Sequence, residues 1–373
     1  LRKLESISRR FLDAIPTSMV MQEKMERGKT HVLIRGQYDN PGEEVSMNVP
    51  RSLFREQQDE AFESRLDLAK WIVGDENPLT ARVIVNRFWH QFFGRGIVKT
   101  LEDFGAQGAP PTHPHLLDWL AVDFLDSGWD VKTLVKLIVM SSTYRQDSTV
   151  TKEQLATDPE NVWLGRASRL RLPAEILRDQ ALAVSGLLNG KIGGSSVKPY
   201  QPEGLWKEIA SQAYDQGAGE DLYRRGMYTF WKRTVPPPTM VTFDASSREI
   251  CVLSRSRTNT PLQALALLNE VSYVEAARNL AQQMMKRESD EGDRLRWGWR
   301  QVTSRQPTDY EMSILSKSLQ RSLERYSKDQ QAAIELIAFG ESIADESLKP
   351  HQLAAYTVIA SMLLNLDEVI NRE

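Results

Sequence analysis

Two histidines separated by one residue are the most metal-like feature of the sequence. His113 and His115 stand in the string Thr112-His113-Pro114-His115, after a segment rich in Gly and Pro. On a loop or strand such imidazoles can share a metal ion, with Asp103 adding oxygen. On a helix, side chains two positions apart diverge by about 200°, and Pro114 suits a first helical turn. We therefore predict a helix start and no resident metal; if a metal is bound, His113 and His115 are its candidate ligands.

Arginine side chains form a second candidate set. The guanidinium group is a planar fork that binds carboxylate, sulfate or phosphate through two hydrogen bonds. It pairs equally well with acidic side chains such as Asp67 and Glu175, and we favour this structural role for most of the set. The arginines concerned are Arg65, Arg82, Arg87, Arg95, Arg145, Arg169, Arg171, Arg224, Arg225, Arg233 and Arg255.

Asp244 and Arg255 form a third set, around the single cysteine Cys251. An Asp and an Arg can take part in acid/base chemistry, but a glycosidase needs two carboxylates at a defined separation, and no partner at such a spacing is evident. Cys251 has apolar neighbours and no adjacent base, so we predict a buried structural cysteine rather than a nucleophile. Asp244 joins Asp103 and His113 as the candidate catalytic residues.

Aromatic side chains gather in residues 190–258, where Tyr200, Trp206, Tyr214, Tyr228 and Trp231 lie among many Gly and Pro residues. Such rings stack on sugar faces, and they also fill ordinary cores. Loops carry binding residues more often than the elements they connect, so we expect ligand contacts in this region first. The candidate ligand-binding residues are Arg87, Arg145, Arg233, Arg255 and Trp231.

Composition excludes several classes of protein. The chain has 373 residues, a net charge of −3 and one cysteine. It therefore holds no internal disulfide, no Cys-rich zinc site and no C-x-x-C-H haem attachment, and its charge gives no general attraction to nucleic acid. No apolar run reaches the roughly 18 residues of a membrane span. The G-x-S-x-G, P-loop and G-x-G-x-x-G motifs are absent.

The spacing of apolar residues predicts a mainly α-helical fold, with a small β unit near the N-terminus and an irregular, partly β central region. Residues 29–38 are predicted as a strand, Asn40-Pro41-Gly42 as a turn, Val45 to Val49 as the partner strand, and Met227 to Trp231 as a further strand. Helices are predicted at 1–14, 64–74, 78–93, 113–126, 130–142, 173–188, from Pro261, and at 271–287, 308–326, 329–345 and 350–364.

Domain organisation follows from the same pattern. Residues 1–50 are predicted as a linker and β segment that belongs with a preceding region, and residues 51–373 as a helical domain. A sub-boundary is expected near 190–258, before the C-terminal helices of 260–373. We expect the chain to be part of a longer protein.

An ordered series of short strings resembles the planctomycete–spirochaete domain of unknown function 1553. Residues 64–146 carry most of the likeness, and further matches follow in order over nearly the whole chain. The matching strings are Arg65–Trp71, Asn77–Arg82, Val85–Trp89, Phe93–Val98, Glu102–Gly105, Pro110–Pro114, Leu117–Leu120, Thr143–Gln146, Arg171–Glu175, Tyr228–Thr234, Thr260–Leu265, Asn269 and Leu363–Glu368. The upstream string Thr30–Gly36 resembles the stretch that usually precedes this domain.

The resemblance implies a bacterial protein that is large and either periplasmic or exported, with a cytochrome-c-like domain before this one. A haem c would then lie in an upstream part of the parent protein, since this chain has no attachment motif and we predict no cofactor in it. The family has no agreed catalytic residues, so the resemblance transfers none.

Two hypotheses about function remain open at this point. The first is an uncharacterised helical module that scaffolds or docks the cytochrome-c-like redox domain of the same parent protein, or that binds an extracellular polymer such as a polysaccharide. The alternative is an enzyme acting on complex or sulfated polysaccharide. The sequence leaves open whether the chain is an enzyme, and it favours neither nucleic acid nor a membrane as a partner.

Overall fold

The protein is described by a computed structural model over residues 2–13, 15–26, 28–53, 62–210 and 213–372. The mainly α-helical fold that the sequence predicts is confirmed. In these ranges sixteen α-helices are present: α1 Arg2–Asp13, α2 Arg65–Val73, α3 Thr80–Phe93, α4 Pro114–Asp126, α5 Val131–Met140, α6 Lys152–Thr157, α7 Ala174–Val184, α8 Leu205–Ala210, α9 Pro238–Thr242, α10 Pro261–Asn269, α11 Val271–Arg287, α12 Glu291–Thr303, α13 Asp309–Lys328, α14 Gln330–Ile337, α15 Pro350–Leu364 and α16 Asp367–Ile370.

Among the described residues, four short strands form two small antiparallel sheets. Strands β1 Thr30–Leu33 and β2 Pro41–Val45 pair near the N-terminus. Strands β3 Leu170–Arg171 and β4 Asn371–Arg372 pair two residues each. No helix in the described ranges is both long and apolar enough to cross a membrane.

Two of the predicted strands need correction. The partner of β1 is Pro41–Val45 rather than Val45–Val49, because the chain reverses through a short 3₁₀ turn at Ile34–Gly36 before Pro41. Met227 to Trp231 is no strand: Gly226–Tyr228 forms a 3₁₀ turn, and Thr229 makes only a single bridge to Val197.

Contacts divide the chain into two compact units, Leu1–Val85 with Pro114–Val131, and Asn86–His113 with Lys132–Glu373. In the first unit, α4 buries its apolar stripe, and the ring of Phe124 meets Trp129 edge-on with ring centroids 5.2 Å apart. Arg82 donates to the carboxylate of Asp118 at 2.7 Å, which ties the start of α3 to α4.

The core of the second unit is built around α11 and α15, which pack along each other with α7, α12, α13 and α14 against them. Leu353, Ile359 and Leu363 of α15 have no exposed surface, so the predicted buried helix is confirmed. Helix α11 also contacts α7, whose first turn carries side chains of the candidate site.

The loop after α3 is fixed by Asn86, which has no exposed surface. Its amide donates to the carbonyl of Val98 at 3.0 Å and accepts from the Val98 N–H at 2.9 Å. We expect Asn86→Ala to lower the free energy of unfolding by about 1–3 kcal/mol, since it leaves buried backbone groups unpaired. Denaturant unfolding checks this, with the exposed Arg87→Ala as control; equal losses in both variants would contradict it.

Candidate functional site

An open cavity of about 400 Å³ lies in the second unit and is the site of interest. Its walls come from the C-terminal half of α3, from the segment leading into α7, from the end of α9 and from the segment before α10. We call it the arginine cavity. It is lined by His90, Gln91, Arg171, Leu172, Pro173, Glu175, Ile176, Phe243, Asp244, Val252, Leu253, Arg255, Ser256 and Arg257.

Arg171 enters the cavity from β3, which the C-terminal strand β4 holds in place. One Nη donates to the side-chain oxygen of Gln263 at 3.1 Å, while Nε and Nη1 are buried and have no hydrogen-bond partner in the described residues. Partial burial lowers the pKa of Arg171, although the negative charges of Asp367 and Asp244 counteract this. Arg171 therefore has unused donors of the kind that an anion accepts from.

Arg257 is the second cation without a close anionic partner. Partial burial lowers its pKa, and the like charge of Arg372 lowers it further. Gly94 lies just after α3 in left-handed conformation, with φ +76°, and a Cβ there would lie 2.3 Å from Cδ2 of Leu170 and 3.0 Å from Nη1 of Arg257. Because no described carboxylate offsets the repulsion between the two arginines, an added anion would be stabilised beside Arg257.

Arg255, the third arginine of the cavity, is already neutralised. Its Nη1 donates to the two carboxylate oxygens of Glu175 at 3.0 and 2.8 Å. Burial works against ionisation of Glu175, but the hydrogen bonds from Arg255 hold the pKa of Glu175 below its usual value. The pair forms part of the cavity wall and adds little net charge to it, because the two charges neutralise each other.

A hydrogen-bonded chain positions the cavity wall opposite α3. Asp244, at a left-handed φ of +59°, accepts from the N–H and the hydroxyl of Thr258 at 2.7 and 2.8 Å. Gln263, with no exposed surface, donates to the Thr258 hydroxyl at 3.0 Å and accepts from Arg171. Asp244 is thus linked to Arg171 by hydrogen bonds that pass through Thr258 and Gln263.

His90 is a further cavity side chain without a partner. It is 8% exposed, and its ring has no hydrogen bond to the described residues. Burial lowers the pKa of His90, and the positive charge of Arg257 lowers it further. The imidazole is therefore neutral at neutral pH and can accept a proton or a hydrogen bond.

Of the candidates chosen from sequence, Asp244 and Arg255 line this cavity and the others do not. Asp103 shapes its own loop, where its Oδ1 accepts from the N–H of Gly105 at 2.7 Å. His113 is half-buried with Nδ1 3.0 Å from the Thr112 hydroxyl, and His115 is exposed in the first turn of α4. In the described ranges, no group of three or more potential metal-ligating side chains occurs.

The remaining ligand-binding candidates lie apart from the cavity lining. Arg87, Arg145 and Arg233 are exposed. Trp231 is half-buried; its indole N–H donates to the carbonyl of Ser247 at 3.2 Å, and the guanidinium of Arg248 covers its ring at 4.8 Å.

Two features of the central region follow from its packing. Trp206 is only 5% exposed and packs among aromatic rings, with Tyr214 at 5.1 Å and Phe230 at 6.0 Å, and with Tyr214 it also lines a second open cavity. Sugar contact by these rings stays a prediction. The prediction of a buried Cys251 is wrong: its side chain is exposed, because residues 250–252 run over the surface without regular structure.

Sequence reasoning missed His90 and Arg257 and counted Arg171 and Glu175 among structural ion pairs. His90 lies in a helix whose aromatic neighbours suggest a core position. The alternation in Arg255-Ser256-Arg257 is the one local signal that was available, since it places two guanidiniums on the same side of an extended segment.

These observations define a mainly α-helical protein with an arginine-lined cavity that holds an unpartnered histidine. The chain belongs to the family described as protein of unknown function (DUF1553), whose model matches residues 64–319. No curated protein and no solved structure shows significant similarity to it.

Proposed function

We propose that this chain is the ligand-binding helical module of a larger exported protein, and that its arginine cavity binds an anionic group of an extracellular polysaccharide. The observation that carries the proposal is Arg171, whose buried Nε and Nη1 have no partner, together with Arg257, which lines the same cavity and whose charge no described carboxylate neutralises. Guanidinium groups of this kind bind carboxylate or sulfate through paired, charge-assisted hydrogen bonds.

The size of the cavity also supports a small charged group rather than a protein surface. A volume of about 400 Å³ is within the roughly 300–1,000 Å³ typical of small-molecule sites. A sugar unit with its acidic substituent fits such a space, whereas docking of a whole redox domain needs a broad contact area. Binding of an acidic polymer is therefore preferred here over docking of a cytochrome-c-like domain. A haem c in an upstream part of the parent protein remains a prediction.

The test is a calorimetric titration with three oligosaccharides of equal length: one carrying carboxylates, one carrying sulfates and one neutral. We expect the acidic ligands to bind and the neutral one to bind at least tenfold more weakly. The carboxylate and sulfate arms identify which anion the cavity prefers. Equal affinity for the neutral ligand would contradict the proposal.

Arg257→Gln should weaken binding of the preferred ligand about tenfold, which corresponds to about 1.4 kcal/mol. The expected loss is moderate because Arg257 is exposed and its charge is screened by solvent. Arg145→Gln removes an exposed arginine that does not line the cavity; it is the matched control. A similar loss in both variants would mean that binding depends on general surface charge.

A further inference from the structure

His90 gives the cavity a group that anion binding alone does not require. It is nine-tenths buried, faces the same cavity as Arg171 and Arg257, and has no hydrogen-bond partner among the described residues. The ring nitrogens of His90 are not among the fully buried polar atoms that lack a partner, so they stay accessible although most of the side chain is buried. Its free nitrogen is available to a bound molecule.

We propose that the arginine cavity abstracts the proton next to a bound carboxylate, with His90 as the base, and so cleaves uronate-containing polysaccharide by β-elimination. This inference rests on the proposed binding of an acidic polysaccharide. It adds a substrate class, polymers whose sugar units carry a carboxylate at C5, and a reaction type.

The arrangement suits this reaction because the difficult step is removal of a weakly acidic proton. Contacts from Arg171 and Arg257 to the carboxylate offset the negative charge that moves onto its oxygens as the C5–H bond breaks. Because these donors are in place before the reaction, they stabilise the transition state, in which this charge develops, more than they stabilise the bound substrate. The neutral imidazole of His90 can then accept the proton that leaves C5.

The step balances without a further reactant. A ring nitrogen of His90 takes the C5 proton, the electron pair forms the C4–C5 double bond, and the bond from C4 to the bridging oxygen breaks. The departing oxygen takes a proton from solvent, and His90 returns its proton to solvent. Neither water nor an oxidant is consumed overall.

The other ionisable groups on the cavity walls are less suited to act as the base. Glu175 is held as a carboxylate by Arg255, and Asp244 accepts two hydrogen bonds from Thr258. Arg171, Arg255 and Arg257 are cations and have no proton-accepting site. Of the titratable side chains facing the cavity, His90 is the one that is neutral, unpartnered and basic enough near neutral pH.

In the test, the full chain is incubated with a uronate oligosaccharide that has no C4–C5 double bond at the start. Formation of the 4,5-unsaturated product is followed by its ultraviolet absorbance. We expect steady product formation by the wild-type chain. His90→Gln should lower kcat by roughly 10²–10⁴, the usual contribution of a general base, while calorimetry shows less than a threefold change in affinity. Because retained affinity demonstrates a folded cavity, loss of turnover in this variant cannot be ascribed to misfolding.

Two further results separate a chemical role of His90 from a structural one. The kcat/KM of the wild-type chain should rise with pH through a pKa below about 6.5 and then stay level, since the neutral imidazole is the active form. A sulfated oligosaccharide without uronate should bind but release no unsaturated product, because it has no proton beside a carboxylate.

Each contrary outcome has a distinct meaning. Binding of the uronate ligand without product, or undiminished turnover by His90→Gln, would overturn the elimination reaction and leave the proposed binding function intact. Failure of every acidic oligosaccharide to bind would overturn both.

Discussion

Arg278→Met is expected to lower the free energy of unfolding by about 3–5 kcal/mol, the usual effect of removing one partner from a buried ion pair. Arg278 and Glu275 are each 1% exposed, with a nitrogen and an oxygen 3.7 Å apart on one face of α11. Without the guanidinium, the carboxylate of Glu275 would keep only its bonds from the Tyr223 hydroxyl at 2.9 Å and the Ser342 N–H at 2.7 Å.

Arg278 also satisfies backbone carbonyls at the end of α14. It donates to the carbonyls of Ile337 at 2.6 Å and Phe339 at 2.9 Å, and to that of Ser342. The last carbonyls of a helix have no partner within the helix, so Met at this position would remove the donor from these partly buried carbonyls at and after the helix end. The loss therefore comes from two sources that act in the same direction.

Denaturant unfolding of Arg278→Met measures this effect, and Arg296→Met is the matched control. Arg296 is exposed in α12 and pairs with Asp293 at 3.0 Å, an arrangement worth about 0–1 kcal/mol. A loss below about 1 kcal/mol in Arg278→Met would show that the buried network contributes little to the stability of the second unit.

Removing Arg171 and Arg257 together should nearly abolish binding of the acidic oligosaccharide. In the double variant Arg171→Met and Arg257→Gln, we expect a loss of about 3 kcal/mol, which is more than 100-fold in affinity. Two charge-assisted contacts disappear together, and the methionine fills part of the space that the guanidinium leaves.

The same double variant should be about as stable as the wild-type chain. Nε and Nη1 of Arg171 are buried without partners, so their removal ends an unfavourable burial of polar groups. The variant also loses the hydrogen bond from Arg171 to Gln263, but that buried oxygen still accepts from the N–H of Thr260 at 3.4 Å. Calorimetric titration and denaturant unfolding of the same sample check the two halves of the prediction. Loss of affinity accompanied by a large loss of stability would instead indicate that the arginines hold the fold.

The helices were predictable where capping residues and apolar spacing agree. Helix α10 begins after Thr260, which forms a capping box with Gln263, and α15 begins at Pro350; both starts are visible in the sequence. Helix α12 was missed because Gly292 and Gly298 lower its helix propensity. Gly298 is needed there, since a Cβ would lie 2.7 Å from Cε of Met284 in the neighbouring α11.

The length of α14 was misjudged for a tertiary reason. Residues 329–345 were predicted as one helix, whereas α14 ends at Ile337. The carbonyls that follow turn toward Arg278, which is 59 positions away along the chain from Ile337. A contact of this kind cannot be deduced from local spacing, because it depends on which helices pack together.

The cavity was only half predictable for the same reason. Asp244 and Arg255 could be selected because they lie in a loop-rich segment with chemistry-bearing neighbours. His90 and Arg171 become part of one site only because α3, β3 and the segment before α10 pack around the same cavity. Nothing in the spacing of His90 and Arg171 along the chain indicates that both face it.

The central claim is that Arg171 and Arg257 together bind an acidic group, and a crystal structure of the chain with a uronate oligosaccharide tests it most directly. We predict a carboxylate within hydrogen-bonding distance of both guanidiniums, with the adjacent carbon facing the ring of His90. Ligand bound at exposed arginines such as Arg87 or Arg233, with Arg171 and Arg257 making no contact to it, would contradict the account.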